Sequence, residues 1–218
     1  MQYRKKAIPL AWSRRILIRE QRRMFDKFTR HFPPRPDLRV LDLGTNGSLD
    51  RPERYVFQHL YPYRANTVAC GLEEPDAFKR CFPDVEYVRA RRGEPLPFSD
   101  GEFDVVHCAA VVEHVGTRAV QRAFLAEIAR VGKAAYVTTP NRWFPVELHT
   151  VLPLVHYLPP SIHRPIMRRL GFDFFSQEAN LNLLDRSALL ELVPAGRPVE
   201  VHEHRFLGLC SNLLLVMR

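Results

Sequence analysis

The order of short apolar runs and amphipathic segments predicts a doubly wound α/β domain. Its sheet is mostly parallel and ends in an antiparallel hairpin. Three observations carry this expectation. Five strand-like runs, nearly all apolar, alternate with helical segments, as strands buried on both faces do. The last two strand-like runs, 199–206 and 213–217, have no helix between them, which predicts a hairpin at the sheet edge. The 218 residues, 46% of them apolar, suffice for one domain with a sizeable core.

The chain opens with a basic amphipathic helix. Leu10, Leu17, Met24, Phe28 and Phe32 recur at steps of seven or four, and Phe25 widens the stripe. Pro33, Pro34 and Pro36 then stop the helix. Residues 1–30 hold ten of the 32 Lys/Arg and two of the 24 Asp/Glu, so this segment carries the whole net charge of +8. The rest is balanced, and the basic character points at one appendage. We therefore divide the chain into a helical extension, 1–34, and a domain, 35–218.

Within the domain, strands are expected at 38–43, 67–72, 85–90, 103–110 and 133–139. Helices are expected at 54–60, 76–82 and 118–131, the last with Val120, Phe124, Ile128 and Val131 on one face. Residues 140–182, rich in Pro, His and aromatics, break the alternation and read as an inserted cover. A helix at 186–193 precedes the final hairpin, joined through Gly208 and Asn212. No run approaches the ~18 apolar residues of a membrane span, and the apolar stretch near the N-terminus is too short for a signal peptide. A cytoplasmic location is the default expectation. The four cysteines (Cys70, Cys81, Cys108, Cys210) form no CxxC pair and read as reduced thiols.

Open parallel sheets bind ligands at the carboxyl ends of their strands, where strand order reverses. The first strand ends in Leu41-Asp42-Leu43-Gly44-Thr45-Asn46-Gly47-Ser48, a turn in which backbone comes close to a ligand. The second ends in Gly71-Leu72-Glu73, and an acidic side chain there suits the two hydroxyls of a ribose. Leu96-Pro97-Phe98-Ser99-Asp100-Gly101-Glu102-Phe103-Asp104-Val105-Val106-His107 continues to Val112-Glu113-His114-Val115. This last run closely resembles the large class I S-adenosylmethionine-dependent methyltransferase family that includes ubiquinone and menaquinone biosynthesis enzymes. Thr139-Pro140-Asn141-Arg142-Trp143-Phe144 and the C-terminal run 205–213 resemble a bacterial subset of it, so the resemblance covers residues 38–218.

The resemblance implies a Rossmann-like, seven-stranded fold and S-adenosylmethionine as cofactor. It assigns cofactor contact to Asp42, Gly44, Thr45, Asn46, Gly47, Glu73, Leu96 and Ala109. Asn46 and Ser48 stand where the family usually has glycine. The acidic residue after strand three that contacts adenine is missing, and Glu94 is the substitute from a shifted position. His114 and His149 are the candidate bases, since imidazole titrates near neutrality. Small-RNA 2′-O-methyltransferases and some quinone O-methyltransferases bind a divalent ion through a similar Glu-x-x-Glu-His run. This chain keeps Glu113 and His114 but has Ala110 at the first acidic position, and Glu147 with His149 would have to complete the site. A metal is therefore the less favoured reading.

The leading expectation is methyl transfer to a small-molecule, glycan or lipid-intermediate acceptor. Residues 141–180 are expected to cover the acceptor pocket, with Trp143, Phe144, His149 and His156 near its wall. Arg142 and the Arg164, Arg168, Arg169 group would meet an anionic part of the acceptor. The alternatives are an RNA methyltransferase and a degenerate cofactor-binding scaffold. A nicotinamide enzyme is disfavoured by the absent G-x-G-x-x-G. The basic helix reads first as a lid packed on the domain, second as a contact to an anionic membrane surface, and third as a nucleic-acid contact.

Overall fold

The computed structural model describes residues 11–48 and 55–218. Leu10, at the head of the expected stripe, and Arg54, at the start of the second expected helix, lie outside the described residues. Seven strands form one sheet: β1 (Val40–Leu43), β2 (Thr67–Gly71), β3 (Glu86–Arg89), β4 (Phe103–Ala109), β5 (Gly132–Pro140), β6 (Val199–Phe206) and β7 (Leu209–Met217). Their spatial order is β3-β2-β1-β4-β5-β7-β6. The first five run parallel, and β7 lies antiparallel between β5 and β6. Strand order reverses between β1 and β4, which opens a crevice at their carboxyl ends.

Side chains alternate across each strand, so each face of the sheet builds its own core. On one face Leu41, Leu43, Val106, Cys108, Val137, Leu213 and Leu215 meet helices α4 (Arg118–Val131) and α6 (Arg186–Leu192) through Leu125, Ile128, Leu189 and Leu192. On the other, Val40, Val105, Tyr136, Leu214 and Val216 meet α1 (Ala11–His31) and α2 (Val56–Leu60). The fully buried Phe28 of α1 packs edge-on against Phe57 and Tyr136, at ring separations of 5.8 and 5.4 Å. The end of α1 that precedes β1 thus shares its core with the sheet. Leu17, expected in the same stripe, is exposed. Helix α3 (Asp76–Cys81) closes the β2–β3 edge through Phe78, which packs with Tyr55 and Phe82.

Two expectations are corrected. The buried stripe of α4 is Gln121, Leu125, Ile128 and Val131, while Val120 is 46% exposed. Gln121 sets this rotation, because its Nε2 donates to the carbonyls of Val112 and Asn182 at 2.9 and 2.8 Å. The helix turns toward two buried acceptors rather than toward its most apolar line. In the hairpin, β7 begins at Leu209, and Asn212 is a paired strand residue opposite Pro140 and His204. The turn is Leu207-Gly208 alone, both with positive φ.

Residues 141–185 leave the sheet and carry helix α5 (Pro160–Arg169). The segment has a small core of its own, built from Met167, Phe175 and Leu181. It returns through a bridge between Asn141 and Leu184, beside the carboxyl end of β5.

Candidate active site at the carboxyl ends of the strands

Asp42 organises the first turn. It is buried and receives three hydrogen bonds, from His107 Nδ1 at 2.7 Å, Thr45 Oγ1 at 2.7 Å and Gln58 Nε2 at 2.8 Å. Burial alone would raise its pKa, but these donors outweigh that and hold it below the ordinary carboxylate value. Both oxygens are engaged inside the protein. Asp42 therefore shapes the loop, and Gln58 and His107 are partners that the sequence reading did not identify.

The glycines make room where β1 and β2 end. A Cβ at Gly71 would stand 1.9 Å from the Thr45 carbonyl oxygen, and one at Gly47 would stand 2.5 Å from that of Glu74. Gly47 thus has its own reason to be glycine, and the turn closes with Asn46 capping the Ser48 amide at 3.0 Å. Gly44 adopts φ +96°, and its Cβ would strike Val111. Gly44 and Ala109 are exposed along the crevice, while Glu73 is half-buried at its rim. Among the described residues the Glu73 carboxylate has no hydrogen-bond partner. An open glycine backbone with a solvent-accessible carboxylate beside it fits the ribose and tail of S-adenosylmethionine.

Two further expected contacts differ in exposure. Leu96 is buried in the core, and its amide donates to Glu127 at 2.8 Å. Glu94 is exposed, 3.8 Å from Arg91.

Beyond Ala109, Ala110 takes a left-handed φ of 55°, and Val112–His114 forms one turn of 3-10 helix. This bend carries Glu113 and His114 under the cover, where they meet His149. The potential donor atoms of these three residues lie within 4.8 Å of one another. His114 Nδ1 donates to the carbonyl of Asn180 at 2.7 Å, and His149 Nδ1 donates to Glu147 Oε1 at 2.6 Å. Each ring therefore turns Nε2 toward Glu113 Oε1, at 3.9 Å in both cases. Glu113 is 0% exposed; Thr139 satisfies its Oε2 at 3.0 Å, and Oε1 has no partner.

The electrostatics follow from these contacts. Burial pushes the His114 imidazole below its ordinary pKa, against the opposing pull of Glu113. Burial alone would raise Glu147, but hydrogen bonds from His149 and Thr150 outweigh it and bring the carboxyl to about 2. An ionised Glu147 holding an N–H imidazole is the arrangement that orients a histidine base or a histidine metal ligand. The donor set also fits a divalent ion: a buried carboxylate oxygen without a partner faces two imidazoles whose other nitrogens are tied back. The cover supplies Glu147, His149 and Asn180. Trp143, expected at the pocket wall, is 52% exposed, whereas Phe144 is buried against Phe206.

A methyltransferase-domain family model matches residues 55–135. The ubiquinone biosynthesis O-methyltransferase of Aromatoleum aromaticum is 31% identical over 115 residues, covering 52% of this chain and 49% of the relative. The chain thus spans about half the length of the curated relative it matches. A solved S-adenosylmethionine-dependent methyltransferase from Mesorhizobium loti aligns with a TM-score of 0.54 at 14% identity, over 83% of this chain and 91% of that one. The 1,6-didemethyltoxoflavin-N1-methyltransferase of Burkholderia thailandensis, solved with bound 1,6-didemethyltoxoflavin and S-adenosylhomocysteine, aligns with a TM-score of 0.58 at 14% identity, over 91% and 77%. At these identities the structural likeness establishes the fold.

Proposed function

We propose, from the premise that this chain belongs by family model and fold to the class I S-adenosylmethionine-dependent methyltransferases, that it methylates a small-molecule acceptor held under the cover. One observation carries the reading. The glycine-lined crevice and the Glu113–His114–His149 cluster are joined by residues 109–114, with Val111 packed on Gly44. A cofactor site and a proton-accepting site thus share one loop.

When bound, the cofactor supplies a sulfonium methyl group for in-line displacement. The protein's part is position and proton transfer. The exposed turn at Gly44 and Asn46 holds the amino-acid tail, and Glu73 accepts the ribose hydroxyls. His149, fixed by Glu147, takes the acceptor's proton at Nε2, and His114 is the second candidate base. Glycan and lipid-intermediate acceptors fall within this reading. Calorimetric titration of the full chain with S-adenosylmethionine and S-adenosylhomocysteine tests it. Micromolar binding of both is expected, and absence of both would leave a scaffold of the same fold.

The unpartnered Glu113 Oε1 favours a second reading of the same cluster. Glu113, His114 and His149 would hold a divalent ion that polarises an acceptor oxygen. Loss of activity on chelation, restored by added metal, separates this from simple base catalysis.

No helix among the described residues is long and apolar enough to cross a membrane. The exposed Arg15, Arg19, Arg22 and Arg30 of α1 support peripheral contact with an anionic surface. Salt-sensitive binding to anionic vesicles, lost on removal of residues 1–24, is its test.

A further inference from the structure

Beside Glu147, the cover holds a narrow cavity of about 30 Å³, lined among others by Arg142, His156, His163 and Arg164. Two of its polar atoms are buried without a partner, Arg142 Nε and His156 Nδ1. His156 is only 4% exposed, and its Nε2 already donates to the Phe144 carbonyl at 2.9 Å. The Arg142 guanidinium makes no hydrogen bond among the described residues and lies over the Trp143 ring at 5.4 Å. Among the described residues, Arg164 is held by a single 3.5 Å contact, to Glu178. Glu147 also lines the cavity, but its oxygens already accept from His149 N and Nδ1 and from Thr150 N and Oγ1. Its oxygens are therefore occupied, and its negative charge is outnumbered by the Arg142 and Arg164 guanidinium groups. The cationic character is felt inside the cavity: besides burial, Arg164, Arg142 and His156 depress the His163 imidazole. Arg142 Nε is a buried donor left without an acceptor, and in a cavity lined by two guanidinium groups it calls for an acceptor-rich anion.

We propose that this cavity receives a compact oxyanion, a phosphate or carboxylate carried by the acceptor, bound by Arg142 and Arg164. The inference rests on the methyl-transfer reading and deepens it. The anion would anchor the acceptor in the cavity beside Glu147 while its reacting atom faces His149, which Glu147 holds. Such an anchor restricts substrates to acidic acceptors, because binding geometry at a distance sets alignment at the reacting atom.

The molecule supplies its own probe. It has two tryptophans, Trp12 and Trp143, and Arg142 covers the second. In a Trp12→Phe background, inorganic phosphate or acetate should change Trp143 emission saturably, with chloride as the ionic-strength control. Arg142→Met and Arg164→Met should each weaken that binding about tenfold or more, about 1.4 kcal/mol for a factor of ten, while affinity for S-adenosylhomocysteine stays unchanged. Arg164→Met keeps the test decisive if Arg142→Met does not fold. Vesicles carrying phosphatidate, compared with phosphatidylcholine, separate a lipid head group from a soluble acid; Arg142-dependent binding to either source supports the oxyanion site. A wild-type response no different from chloride, as for a cavity filled by water, overturns the proposal, and so does undiminished phosphate binding in both variants. Failure to bind S-adenosylhomocysteine would instead strike the methyl-transfer reading.

Discussion

His149 donates its Nδ1 hydrogen to Glu147 at 2.6 Å, and this one bond fixes which ring nitrogen looks at Glu113. The carboxylate is itself braced by the amide and hydroxyl of Thr150, at 2.6 and 2.7 Å. Orientation is thus set by neighbours in sequence, before any acceptor arrives.

Replacing Glu147 with Gln should loosen that orientation. Turnover is expected to fall by about 10–100-fold, as when an outer partner of a functional histidine is lost. Affinity for S-adenosylhomocysteine should hold. An equal loss in both would make the pair structural.

Glu73→Ala removes the carboxylate at the crevice rim. The expected cost to cofactor binding is about 2 kcal/mol, from charge-assisted bonds to the ribose. Calorimetry reads it directly, and wild-type affinity in the variant would refute the ribose assignment.

Gly71→Ala tests the close approach of the two loops. The added Cβ meets the backbone oxygen of Thr45, which has no flexible end to move aside. A loss of about 1–3 kcal/mol is expected from overpacking, together with weakened cofactor binding. Melting temperature and titration report the two effects separately.

Acid should weaken the fold through Asp42 and Glu147. Both have pKa values lowered in the folded state, so the folded chain binds fewer protons than the unfolded one. Their stabilisation is complete above the ordinary carboxylate values of 3.8 and 4.5 and is lost as pH falls, for Glu147 down to about 2. Denaturant midpoints of wild type and Glu147→Gln should therefore differ near neutrality and converge toward pH 2. A gap that stays constant with pH would exclude this linkage.

Phe28→Ala addresses the basic helix. Its ring is fully buried among Phe57, Tyr136 and His107, so truncation should cost about 3–5 kcal/mol. An unchanged melting temperature would mean that α1 contributes little to the core.

The sequence by itself determined the element order, the reversal of pattern at the last two strands and the position of the ligand crevice. Continuous apolar runs and glycine-rich turns are local signals, legible without neighbours. It also marked Asp42 and Glu73, because the ends of β1 and β2 follow from that order.

Tertiary structure decided what each of those residues touches. Asp42 faces inward because Gln58 and His107, 16 and 65 residues away, claim both of its oxygens. Leu96 is buried in the core, and Glu94 lies on the surface beside Arg91. Helix α4 rotated toward the carbonyls that hold Gln121, which no apolar count registers. The cluster of Glu113, His114 and His149 depends on a left-handed Ala110 and on Asn180, 66 residues from His114. Local periodicity states which face of a segment is apolar; it carries no record of the distant donors and acceptors that must be paired once that face is buried.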